Sequence, residues 1–141
     1  MFSISYASMQ DQPYFCLPEA YLSEAEFELK LRDKRCYILR DGAQHIGVLR
    51  YNLFLDCIPF LTLIYLDEPY RRRGFGAAAM AHWEEEMQRL GYPMIMTSTQ
   101  ANEEAQHFYR KLDYTDMGAI VMNIAPYQQG PELFLGKSLS L

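Results

Sequence analysis

The chain has 141 residues, half of them apolar, and 18 Asp and Glu against 13 Lys and Arg give it a net charge of −5. That length predicts one domain over residues 1–141 with a buried core, and the acidic balance excludes a general binder of nucleic acid or anionic membrane, which are read through excess Lys and Arg. No run approaches the ~18 apolar residues of a membrane span, Met1-Phe2-Ser3-Ile4 does not open a leader, and Cys16, Cys36 and Cys57 are odd in number without CxxC spacing, so a cytoplasmic protein with reduced thiols is expected.

Phe2 to Ala7 reads as a short strand. Ser23-Glu24-Ala25-Glu26 reads as a capping box opening a helix that ends near Arg35. Its apolar residues Phe27, Leu29 and Leu31 alternate as a strand would, but the Glu- and Lys-rich composition and the cap favour helix. Cys36 to Arg40 and His45 to Leu55 form a hairpin about Asp41-Gly42, which supplies the positive φ angles of tight reversals. Phe60 to Leu66 is nearly all apolar and reads as a central strand. From Gly74 to Leu90 the residues Gly76, Met80, Trp83, Met87 and Leu90 fall at helical spacing, and Gly91 and Pro93 stop that helix. Pro93 to Thr99 is a further strand. Asn102 to Leu112 reads as a helix capped by Asn102, with Glu103-Glu104 at its start and Arg110-Lys111 at its end matching the dipole. Thr115 to Met122 and Glu132 to Leu139 are the last strands, and Pro18 and Gly130-Pro131 mark turns. The order predicts an α/β fold, a single-domain mixed β-sheet flanked by helices. Leu133 and Leu135 near a sheet edge predict a possible homodimer through the last strand.

The segment from Ile64 to Gly76 runs from a buried strand through a basic, glycine-bearing turn into a helix. Such a turn can cradle a phosphate, because glycine lets the backbone approach and the first N–H groups of a helix are unpaired in a favourable dipole. Taken singly, Arg71-Arg72-Arg73 would be a solvated charge run, and Gly74 and Gly76 would serve packing. Their coincidence at a strand-to-helix junction favours a phosphate site. It is neither GxxxxGK[ST] nor a dinucleotide fingerprint, since the third glycine and the acidic residue are missing.

Arg71, Gly74 and Gly76 fit R/Q-x-x-G-x-G/A, and here the chain resembles the GCN5-related N-acetyltransferase superfamily. Residues Asn102 to Tyr114 resemble a second motif of that family, N-x-x-A-x-x-F-Y-x-K-x-G-[FY], with Asp113 in place of the glycine. The resemblance implies that the turn over Arg71, Arg72, Arg73, Gly74, Phe75 and Gly76 holds the pyrophosphate of acetyl-CoA as cosubstrate. It implies further that Leu66 offers a main-chain contact to the pantetheine arm, that Asn102 touches the cofactor, and that Tyr109 is the catalytic acid. Apart from the resemblance, Asn102 to Leu112 reads equally well as an ordinary amphipathic helix.

Acetyl transfer to an amine needs a neutral amine, a stabilised oxyanion and a leaving thiolate. A thiol of pKa ~8.5 leaves tolerably, and a tyrosine hydroxyl of pKa ~10 can protonate it. The family often places a glutamate on the strand before the turn, whereas Ile58 to Leu63 carries no acid; Asp56, Thr62, Asp67 and Glu68 lie near it in sequence. His45, His82 and His107 sit singly without ligand spacing, so no metal site is expected. Tyr6, Tyr14, Phe15, Tyr21, Tyr51 and Phe54 supply core and, in part, an aromatic pocket suited to an amine. The expectation is an N-acetyltransferase acting on a small-molecule or peptide amine by direct attack in a ternary complex. The alternative is a catalytically silent acyl-CoA-binding module of the same fold.

Overall fold

A computed structural model describes residues 1–17 and 21–140. Pro18, expected at a turn, lies outside them. Seven strands, β1 (Phe2–Tyr6), β2 (Cys36–Asp41), β3 (Gln44–Phe54), β4 (Ile58–Leu66), β5 (Met94–Gln100), β6 (Thr115–Ile120) and β7 (Glu132–Ser138), form one sheet in the order β1-β2-β3-β4-β5-β7-β6. The β4–β5 pair is parallel, while β1–β2, β2–β3, β5–β7 and β6–β7 are antiparallel, so the sheet is mixed as expected. The helices are α1 (Gln12–Phe15), α2 (Glu24–Arg32), α3 (Phe75–Arg89) and α4 (Ala105–Lys111). None of them is long and apolar enough to cross a membrane.

Two compact units divide the chain, the first made of Met1–Asn52 and Thr62–Trp83, the second of Leu53–Leu61 and Glu84–Leu141. In the first, α2 is a helix for the reason its sequence suggests: Ser23 Oγ accepts the Glu26 N–H at 3.1 Å. Gly42, at φ +62°, turns the hairpin from β2 to β3. Both faces of β2 are covered. Cys36 and Ile38 join Phe15, Phe27 and Val48 in one buried cluster, while Tyr37, on the opposite face, lies 6.4 Å from the Tyr51 ring, which in turn is 5.7 Å from Trp83. Gly47 permits the close approach of β3 to β4, since any Cβ there would collide with the Tyr65 carbonyl.

The second unit centres on β7, which pairs with β5 from Glu132↔Gln100 to Ser138↔Met94 and with β6 on its other side. The edge that the dimer expectation assigned to the last strand therefore belongs to β6, all of whose residues are exposed. Phe54, Phe60 and Phe134 form an aromatic triangle with centroids 5.9 to 6.3 Å apart. On α3, Met80, Trp83 and Met87 are fully buried as their spacing predicts, but Leu90 is 61% exposed. It follows the last helical residue, and the chain turns away at Gly91, φ +90°.

Candidate functional site

In the first unit, β4 ends at Leu66 and the Asp67 N–H donates to the Ile46 carbonyl at 2.8 Å. Asp67 and Glu68 belong to the turn: Asp67 stands at the N-terminal end of a single 3₁₀ turn over Glu68–Tyr70 that contains Pro69. The next four residues reverse the chain through two left-handed positions, Arg72 at φ +60° and Gly74 at φ +85°. The Ala78 N–H donates to the Gly74 carbonyl at 3.1 Å, so Gly74 opens α3. The N–H groups of Phe75, Gly76 and Ala77 then have no acceptor within the helix and carry the positive end of its dipole. A Cβ built on Gly74 meets nothing within 4 Å. The space beside Gly74 is therefore open, which lets a ligand approach its bare backbone.

The three arginines, all exposed, take different positions. Arg71 Nε donates to the Leu66 carbonyl at 2.8 Å, with its guanidinium 5.2 Å from the Tyr65 ring centroid. Arg73 lies 5.1 Å from the Phe75 centroid and 5.4 Å from that of Tyr70, and Phe75 stacks on Phe2 at 5.4 Å. Arg72, exposed, sits at the left-handed position between them. Leu66, expected to offer its main chain to a ligand, thus already has its carbonyl engaged by Arg71.

The second unit holds Tyr109 and Asn102. Tyr109 is 5% exposed, with its ring 5.4 Å from Phe108 and 5.7 Å from Tyr114. Burial pushes its phenol above the ordinary value, and the Thr97 side chain opposes that rise. The neighbouring phenol is committed differently. Tyr114 donates to Glu84 Oε2 at 2.8 Å, Lys137 donates to Oε1 of the same carboxylate at 2.8 Å, and burial with the Glu84 charge pushes Tyr114 far up. Asn102 is exposed and does not cap α4. The helix starts three residues later, after a turn whose Ala101 and Glu103 carbonyls accept from Gln106 Nε2 at 2.8 and 3.2 Å. Gln106 thus ties the turn before the helix, while no side chain caps its first N–H groups. Asp113 adopts φ +72°, the left-handed conformation its place in the motif demands.

Composition offered no reason to single out Thr97. It sits on β5, 1% exposed, and its Oγ1 donates to the Leu61 carbonyl at 3.2 Å. Thr99, two residues on and on the same face, has a buried hydroxyl with no partner among the described residues. The available signal was hydroxyls at two buried positions of a strand that otherwise reads as core.

Other expectations divide. Asp56 is exposed in the β3–β4 turn, and Thr62 donates to Asn52 Oδ1 at 3.3 Å. His45 is half-buried, stacked on Tyr14 at 3.6 Å with Nδ1 4.0 Å from Asp67. Of the aromatics, Phe15 and Tyr51 are core, whereas Tyr6, Tyr14, Tyr21 and Phe54 are exposed. Cys16, Cys36 and Cys57 are free thiols.

The model of the acetyltransferase (GNAT) family matches residues 4–114. No curated protein matches the chain at the level of sequence. Among solved structures, the ribosomal-protein-S18-alanine N-acetyltransferase of Escherichia coli is similar with a TM-score of 0.81 and 19% identity, over 100% of this chain and 96% of that one. Ard1 of Thermoplasma volcanium gives 0.82 and 15%, over 99% and 98%. Arabidopsis thaliana Naa50, in complex with the bisubstrate analogue CoA-Ac-MVNAL, gives 0.75 and 16%, over 97% and 98%. At these identities the likeness is one of fold.

Proposed function

Because the chain belongs to the acetyltransferase (GNAT) family, we propose that residues 1–141 work as one domain that transfers the acetyl group of acetyl-CoA to a primary amine of a small molecule or peptide. The observation that carries this reading is the turn at Gly74, left-handed, with open space beside its backbone and set between exposed arginines and the unpaired N–H groups of α3. In this reading the backbone from Arg71 to Gly76 holds the pyrophosphate, Arg72 adds charge, and the Leu66 main chain and Asn102 supply further contacts. The amine class of the acceptor is supported by the similar structures, whose names speak of alanine N-acetylation and of a peptide joined to CoA through acetyl.

Tyr109 gives its proton to the departing thiolate. A phenol suits this task because it stays protonated at neutral pH, the more so when buried, and so has a proton to give. With no acid on Ile58–Leu63, the amine loses its proton to solvent or enters already neutral.

Two measurements test the proposal. Acetyl-CoA should raise the melting temperature, since a ligand of the native state stabilises it by mass action, and Gly74→Glu, which puts a carboxylate before the donors, should abolish the shift. A screen of amines and peptide N-termini for release of CoA thiol should then find turnover. Binding without turnover of any amine would select the silent acyl-CoA-binding module instead.

A further inference from the structure

At the end of α4 the chain closes back on Tyr109. Asp113, at φ +72°, reverses it, so that the Tyr114 N–H donates to the Tyr109 carbonyl at 3.1 Å and the Asp113 N–H to the Arg110 carbonyl at 3.1 Å. The Leu112 N–H reaches the same Tyr109 carbonyl at 3.0 Å, and the Tyr114 ring lies 5.7 Å from the Tyr109 ring. Tyr114 therefore holds Tyr109 by both backbone and ring. Such a closure favours glycine at its left-handed position, and an aspartate adopts it at a cost. An anchor outside the helix offsets that cost. The Tyr114 hydroxyl donates to Glu84 Oε2 at 2.8 Å, while Lys137 Nζ donates to Glu84 Oε1 at 2.8 Å and stands 5.7 Å from the Tyr114 ring centroid. Tyr114 is buried and the Glu84 and Lys137 side chains are largely so, which shelters these bonds from competing water.

We propose that Glu84 and Tyr114 are positioning residues for Tyr109: Glu84 anchors the Tyr114 hydroxyl, the anchored Tyr114 keeps the closure at Asp113 shut, and the closure fixes the place of the Tyr109 phenol. The inference rests on the acid role given to Tyr109 above. Neither positioning residue exchanges a proton in the reaction. Burial and the Glu84 charge keep the Tyr114 proton on its oxygen, so this second phenol serves as an anchor and not as a second acid. Position matters because proton transfer to the departing sulfur needs the phenol within hydrogen-bond reach, and a displacement of ~1 Å can cost ~10² in rate.

Amide exchange reads the anchor without substrate. Tyr114→Phe keeps the ring, leaves Glu84 paired with Lys137, and should speed exchange of the amide at position 114 about tenfold, the worth of one hydrogen bond to a charged group. Adding Asp113→Gly, which holds the left-handed conformation without an anchor, should return most of the protection. With any accepted amine, Tyr114→Phe should lower kcat about tenfold at unchanged KM for acetyl-CoA, and Asp113→Gly should recover it. In a Tyr109→Phe background the same substitution should cost kcat nothing further, which a general loosening of the fold would not reproduce. If Tyr114→Phe does not fold, Glu84→Gln, a neutral acceptor in the same place, carries the same expectations at about threefold. Unchanged exchange at position 114 overturns the anchor. An unchanged kcat, or a loss that persists in the Tyr109→Phe background, overturns the positioning of Tyr109 alone. A wild-type protein that turns over no amine, or whose kcat Tyr109→Phe leaves unchanged, overturns the acid role and the positioning role with it.

Discussion

Arg71 Nε donates to the Leu66 carbonyl oxygen at 2.8 Å, so the arginine that opens the glycine motif is latched to the last residue of β4. The motif's first side chain thereby shapes the turn, and its charge reaches a ligand second. We expect Arg71→Ala to weaken acetyl-CoA binding about tenfold, the worth of one charge-assisted hydrogen bond. Arg71→Lys should recover less than half of that, because an ammonium lacks the planar donor that meets the carbonyl. Calorimetric titration decides; full recovery by lysine would mean that charge alone matters.

Arg72 should behave in the opposite way in the free protein. Its φ of +60° costs a non-glycine residue about 1 kcal/mol. Arg72→Gly should therefore leave the melting temperature unchanged or raised while weakening acetyl-CoA and flattening the salt dependence of binding. A variant that loses stability and keeps affinity would show that the guanidinium serves the fold.

Tyr109→Phe should lower kcat about a hundredfold, the low end for loss of a general acid, because the thiolate leaves tolerably without help. Acetyl-CoA affinity should hardly move, since the ring keeps its contacts with Phe108 and Tyr114. The same kcat in a reaction limited by chemistry would make Tyr109 a packing residue.

Stability should depend on pH through the pair Lys30 and Cys36. Burial pushes the Lys30 ammonium down to about 8 from 10.5, and its Nζ donates to the Tyr51 carbonyl at 2.8 Å. Between those values the unfolded chain binds more protons, so stability rises with pH. Burial pushes the Cys36 thiol up to about 11 from 9.0, so the folded chain keeps a proton that the unfolded one releases, and stability falls across that window. Tyr109 and Tyr114, raised from 10.0, add to the fall at higher pH. Lys30→Met should remove the rise just below pH 9, and Cys36→Ala should keep the rise and soften the fall above it. Urea midpoints on either side of pH 9 would show both slopes.

What the sequence made legible is what neighbours in the chain decide. The Asp41-Gly42 reversal, the Ser23 cap and the strand-turn-helix at Leu66 to Gly76 each depend on a few consecutive residues, and each has the expected form. The short α1 was missed because four residues around Pro13 show no periodicity. Asn102 was misread because an asparagine before a helix pattern looks like a cap, whereas here Gln106 reaches back to the turn. The neighbours of β7 and the contact of Thr97 with Leu61 were out of reach for another reason. They are set by strand pairing between distant segments, and no local pattern records which strand lies beside which.

Trp83 is the only tryptophan, wholly buried and 5.7 Å from Tyr51 in the first unit. The protein therefore carries one indole reporter, at the point of α3 where the first unit ends. Far-ultraviolet dichroism sums over every helix and strand of both units. Coincident curves from the two signals would mean that the halves melt as one cooperative body, and curves that part would date the loss of the indole's surroundings against the rest.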